Sequence, residues 1–237
     1  MASLAALLEA LPADSPRSAY HRAAVEANVL AKTTDGSRQR TYRYLRELYL
    51  LRPDSLLFRA LRDLWPADPA SWPMLAGLCA LARDAVFRAS SAAILRSSPG
   101  DSLTSADFAE AVGEHFPSSY GGGTLSKIGR NTFSSWQQTG HLIRAGRTTK
   151  IRTGAICTPA VLTYALLLGY IEGGRGNALF DTFWVRILDQ QPSQLLELAA
   201  NASRQGMLEL RQAGGVVDVG FRQLTRPMTE VEQDQVQ

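Results

Sequence analysis

Residues 115–171 contain no Asp or Glu, and the same 57 positions carry Lys127, Arg130, Arg144, Arg147, Lys150 and Arg152. The run is therefore +6 in a chain whose formal net charge is +3, so the remainder sums to −3. An even scatter of the chain's 22 acidic residues would place about five of them here. A stretch that excludes negative charge over this length suits a surface that meets a polyanion, and the residue types within it point to duplex DNA.

Within that run, residues 125–140 read as a helix capped by Thr124. At about 100° per residue, Leu125, Ile128, Thr132 and Trp136 share one face. The opposite face carries Lys127, Arg130, Asn131, Ser134, Gln137, Gln138 and His141. Arg and Lys fork onto guanine, Asn and Gln onto adenine, and Ser onto either base or onto phosphate. Gly121-Gly122-Gly123 precede the helix and bring backbone N–H groups to its start, where the dipole favours a phosphate. Residues 143–156 alternate loosely and read as a β-hairpin bearing Arg144, Arg147, Lys150 and Arg152, a basic wing for the DNA backbone. A polar face on an amphipathic helix is ordinarily just solvated, but such a face mixes signs, and this one does not.

The rest of the chain supplies the frame. Residues 1–15 suit a short amphipathic helix and lack the basic start of a signal peptide. Helices are expected over residues 17–30, over 38–51 with Ser37 as cap, over 54–65 with Asp54 as cap, and over 74–95 in one piece. In the last of these, Asp84 is expected to pair with Arg83 and Arg88 on the helix surface. Thr104 and Asp107 open a further helix, and Thr158-Pro159 opens an apolar one ending near Gly169. Helices over residues 177–188 and 192–206 follow, then a hairpin over 208–221 around Gly214-Gly215.

The expected fold is mainly α with short β-hairpins. An N-terminal helical bundle (residues 1–100) precedes a winged helix-turn-helix-like unit (101–172), a second helix–helix–hairpin unit (173–226) and a flexible acidic tail (227–237). In the N-terminal bundle, Arg38, Arg40, Arg43 and Arg46 interleave with Tyr42 and Tyr44. These arginines suit either phosphate contact or a solvated shell around a tyrosine-filled core. The second helix of the third unit exposes Gln194, Glu197, Asn201 and Arg204, a mixed set that fits protein contact better than DNA.

Catalytic and membrane readings find little support. His21, His115 and His141 are isolated, no HExxH or Cys/His ligand spacing occurs, and Gly121–Gly123 lead to no P-loop lysine. No metal, cofactor or catalytic residue is expected. Cys79 and Cys157 suit buried thiols in a reducing cytoplasm. Residues 72–95 are interrupted by Arg83, Asp84 and Arg88, and the apolar run 159–171 falls short of the roughly 20 residues a bilayer needs.

The first half also carries a family likeness. Glu26-Ala27-Asn28-Val29-Leu30, Ser37-Arg38, Leu45-Arg46-Glu47-Leu48-Tyr49, Leu64-Trp65 and Ala82-Arg83-Asp84 together resemble the BrxA-like proteins of bacterial BREX phage-exclusion systems. The likeness spans about residues 17–95 and rests on short, mostly structural motifs. It implies a helical and winged-helix DNA-binding accessory protein that works beside a methyltransferase, an ATPase and a PglZ-like phosphatase-fold protein. It assigns no individual DNA contact, so the site residues rest on the helix face alone. The competing expectation is an adaptor whose basic face docks an acidic subunit of such a complex.

Overall fold

The computed structural model describes residues 2–227, so part of the expected tail, from residue 228 onward, lies outside the described residues. The protein is mainly helical, with two small antiparallel sheets. The N-terminal part runs α1 (Ala2–Glu9), α2 (Arg17–His21), α3 (Asp35–Tyr49), α4 (Leu56–Leu64), α5 (Trp72–Arg83) and α6 (Ala85–Leu95). Leu4, Leu7 and Leu8 bury one side of α1. The Arg62 guanidinium donates to the carbonyls of Leu8 and Leu11, which α1 leaves without helical partners.

Several local expectations shift for identifiable reasons. The helix over 17–30 widens into a π-turn at Arg22–Glu26 and stops. There Asn28 takes φ +51°, and its side-chain amide exchanges two hydrogen bonds with the Lys32 backbone. Thr34, not Ser37, caps α3, with Ser37 returning the hydrogen bond in a capping box. Ser55, not Asp54, caps α4, because Asp54 is engaged by Arg52.

The single helix expected over 74–95 breaks at Asp84 (φ −112°, ψ 102°). The carboxylate accepts from the N–H groups of Val86 and Phe87 at 2.9 Å each, which makes it the cap of α6 rather than a surface partner of Arg83 or Arg88. Arg88 instead pairs with Glu172 at 2.8 Å and lies over the rings of Phe183 and Trp184.

Residues 102–152 fold as β1 (Ser102–Thr104), α7 (Ser105–His115), α8 (Gly122–Gln138), β2 (Leu142–Arg144) and β3 (Thr149–Arg152). The strands form one antiparallel sheet in the order β1-β3-β2, with both Ser102 and Ile143 opposite Ile151. The alternating spacing predicts the hairpin but not β1, whose three residues are too few to show a pattern. Thr104 and Asp107 form the expected capping box on α7.

Gly129 sets the seat of α8 on α7. A Cβ there would lie 2.3 Å from the Ser105 carbonyl oxygen and 2.8 Å from the Ala109 Cβ. Gly129→Ala must push the two helices apart and is expected to lower stability by about 1–3 kcal/mol, read as a lower urea midpoint with an unchanged m-value.

The chain continues through α9 (Pro159–Ile171), a 3-10 segment at Gly176–Asp181, α10 (Phe183–Arg186), α11 (Pro192–Arg204), β4 (Glu209–Ala213) and β5 (Val216–Gly220). The helix expected over 177–188 splits at Thr182, which is extended (ψ 157°) and seated against Gly169 of α9. Gly214 and Gly215, at φ +57° and +80°, make the two-residue turn between β4 and β5. Every residue of α9 from Ala160 to Gly169 is buried. This helix packs on α4, α5, α10 and α11, and one apolar core runs without a break from Leu4 to Leu224. The three units expected from the sequence thus share a core organised around α9.

Candidate nucleic-acid interface

The inner face of α8 buries Gly129, Thr132, Phe133 and Trp136. The Trp136 indole N–H donates to Ser90 Oγ at 2.9 Å, and Phe133 packs against Phe108 with ring centroids 5.5 Å apart. This anchoring fixes the rotation of the helix about its axis. It leaves Lys127, Arg130, Asn131, Ser134, Gln137 and Gln138 exposed, as the spacing predicts. The helix begins one turn before the expected Thr124 cap. Gly121 is the N-cap and supplies no side-chain hydrogen bond, so the exposed first turn presents backbone rather than a capping side chain. Arg130 is steadied by a 2.8 Å hydrogen bond to Ser126 Oγ, one helical turn away.

Arg144, the last residue of β2, and Arg147 in the turn to β3 are exposed, and Arg144 Nε donates to the Gly146 carbonyl at 3.4 Å. Among the described residues no carboxylate pairs with Lys127, Arg130, Arg144 or Arg147. These four cations, on one helix and the adjoining hairpin, are the exposed ones of the six in the acid-free run.

Of the other two, Lys150 is partly buried and engaged by the protein, and Arg152 is used inside it, which corrects the expected role of Arg152. Lys150 donates through Nζ to the Phe133 carbonyl at 2.8 Å and sits 3.8 Å from that ring's centroid. Burial, then the nearby Arg144 charge, lowers its pKa. It ties the hairpin to α8. Arg152 is 1% exposed; its guanidinium donates to the Thr153 carbonyl and pairs with Asp189, joining β3 to the end of α10. A charge sealed in this way is not open to a phosphate.

His141 is the clearest correction. The helical wheel places it outward, but α8 ends at Gln138, and Gly140 at φ +90° turns the chain beneath the helix. His141 is 0% exposed. Its Nε2–H donates to the Ile187 carbonyl at 2.8 Å, which leaves Nδ1 as acceptor for the Thr139 hydroxyl, also at 2.8 Å. Its ring meets Trp136 edge-on, with centroids 4.9 Å apart. Burial pushes its pKa down from 6.5 to about 4, opposed by the Ile187 hydrogen bond and helped by the Arg152 charge.

The α3 cluster divides. Arg38 turns inward, donates to the Val25 carbonyl at 3.1 Å and so belongs to the core side of the helix. Arg40, Arg43 and Arg46 remain exposed. Arg40, Arg43 and Arg46 follow one another in steps of three along the helix. Beside α8, Asn131, Ser135 and Gln138 line a groove of about 310 Å³ that they share with Thr41, Tyr44 and Leu48 of α3. Tyr44 is 51% exposed and was not singled out as a site residue from the sequence.

Chemistry elsewhere is quiet. No group of three or more His, Cys, Asp or Glu side chains able to hold a metal occurs among the described residues. Burial pushes the thiols of Cys79 and Cys157 up to about 11 and about 12, far from a thiolate nucleophile. Among the described residues no helix is long and apolar enough to cross a membrane. No family model matches the chain, and neither a curated protein nor a solved structure matches it.

Proposed function

We propose that this chain is a non-enzymatic, cytoplasmic double-stranded DNA-binding protein, an accessory of a BREX-type anti-phage system of the BrxA-like kind. The observation that carries the DNA reading is the exposed set of Lys127, Arg130, Arg144 and Arg147, with no carboxylate paired to any of them among the described residues. Unneutralised cations on a protruding helix and hairpin are the electrostatic footprint of a nucleic-acid surface. The order helix, strand, helix, helix, strand, strand over residues 85–152, with sheet order β1-β3-β2, is compatible with a winged helix-turn-helix and supports that reading. It supports α8 as the helix that enters the major groove.

In this reading Lys127 and Arg130 fork onto guanine, and Asn131, Gln137 and Gln138 onto adenine. Ser134 meets base or phosphate, and Arg144 and Arg147 hold the backbone. The methyltransferase, ATPase and PglZ-like subunits are its proposed neighbours, on the strength of the resemblance in residues 17–95. A mobility-shift titration with random duplex at several salt concentrations tests the function. Arg144 and Arg147 meeting phosphates contribute about −2 to the slope of log K against log salt, from roughly 0.9 per neutralised phosphate. No retardation at low salt sinks the reading.

The adaptor reading draws on a different surface. Leu196 and Val216 are exposed beside a cleft of about 250 Å³ lined by Phe180, Leu195 and Val217, apolar ground suited to a protein subunit. Protein that binds no duplex yet co-elutes with a neighbouring subunit would favour it.

A further inference from the structure

On the flank of α3 turned away from α8 lies an open cavity of about 440 Å³, within the roughly 300–1,000 Å³ range of small-molecule sites. Thr41, Tyr44 and Leu48 face the groove beside α8, whereas Gln39, Arg43 and Arg46 line this cavity, and no residue lines both. Arg40 stands at the same cavity, and the His21 ring closes the opposite wall, packed edge-on against Tyr42 with centroids 5.2 Å apart.

No carboxylate lines the cavity. Arg43 meets Glu47 only at 3.9 Å and His21 meets Glu26 only at 3.9 Å, while Arg40 and Arg46 have no ion-pair partner among the described residues. Three guanidinium groups spaced three residues apart on one helix repel one another. Their arrangement around a concave space makes sense with an anion between them. A duplex backbone offers singly charged diesters on a convex surface. A phosphate monoester carries about −1.5 to −2 charge at pH 7 and three acceptor oxygens, which suit several guanidinium forks lining one cavity.

We propose that this cavity binds a terminal phosphate group, carried by a free nucleotide or by the 5′ end of a DNA strand. Arg40, Arg43 and Arg46 hold the phosphate oxygens, and Gln39 and His21 supply neighbouring polar contacts. The site is separate from α8 and does not rest on the duplex reading.

Calorimetric titration of the full chain at low salt tests it with inorganic phosphate, adenosine monophosphate, and a single-stranded oligonucleotide with or without a 5′ phosphate. Binding of either monophosphate probe, weakened at least tenfold in Arg40→Gln/Arg46→Gln, is the expected result. Arg40→Lys/Arg46→Lys is expected to bind more weakly than the unmodified protein yet more tightly than the glutamine variant, because charge remains while the fork is lost. Adenosine monophosphate alone identifies a free nucleotide as the source, and preference for the phosphorylated oligonucleotide identifies a strand end. Both glutamine positions are exposed, so unchanged thermal unfolding of the variant checks that the fold persists. Absence of binding by every probe overturns the proposal, as does equal binding by the glutamine variant. Arg144→Glu/Arg147→Glu leaves the inorganic phosphate and adenosine monophosphate titrations unchanged, which keeps failure here distinct from failure of the duplex reading.

Discussion

Arg144→Glu/Arg147→Glu weakens duplex binding about a hundredfold or more and lowers the salt slope by about 2, measured by mobility shift across a salt series. Arg144 at the end of β2 and Arg147 in the turn that follows are both exposed, so neither substitution disturbs the core. Each charge-assisted hydrogen bond to a phosphate contributes roughly 1.5–3 kcal/mol, and each lost phosphate contact removes about 0.9 from the slope. The loss is uniform across DNA sequences, because phosphate contacts carry no base information. Arg130→Ala behaves differently: it relaxes preference at one base position while changing random-duplex affinity less. Lys150 provides the contrast within the hairpin. Its ammonium is held by the Phe133 carbonyl, so Lys150→Gln acts on stability rather than on the salt slope. A wing variant that binds duplex as the unmodified protein does would remove Arg144 and Arg147 from the interface.

Acidification from pH 7 to pH 4 lowers folding stability by about 3 kcal/mol through His141 alone. The folded protein holds this imidazole neutral down to about pH 4, whereas an unfolded chain protonates it near 6.5. Between those values the unfolded state carries the extra proton, so stability falls as pH falls, by up to about 1.4 kcal/mol per unit. The contribution is fully present above 6.5 and fully lost below about 4. Urea midpoints at pH 7, 6 and 5 read it above the range in which exposed carboxylates titrate. His141→Gln is less stable at pH 7, because the bridge between the Thr139 hydroxyl and the Ile187 carbonyl is disturbed, and its midpoint varies less over that window. An equally steep pH dependence in the variant would place the effect on another group.

Much of the frame was legible because it is written locally. The stepwise apolar positions of α8, the Thr104–Asp107 capping box and the Gly214-Gly215 turn each need only a few consecutive residues. The acid-free run was legible as charge, and Lys127, Arg130, Arg144 and Arg147 do reach solvent. The break at Asp84 was less visible, because continuous apolar spacing hides a side chain that competes for backbone N–H groups. The strand β1 was invisible, because three residues hold no period and its partner β3 lies more than forty positions away.

The sequence alone determined that the chain is mainly helical, which face of α8 is polar, and how much positive charge residues 115–171 carry. Only the tertiary structure decided which of those charges are available. His141 and Arg152 belong to the same polar-looking run, yet their burial depends on Ile187 and Asp189, brought in by the turn after α10. It also divided the α3 arginines, turning Arg38 toward the Val25 carbonyl and leaving Arg40, Arg43 and Arg46 around one cavity. The physical reason is the same in each case. Helical periodicity orients a residue relative to its near neighbours, whereas exposure depends on what packs over it, and those atoms come from distant parts of the chain.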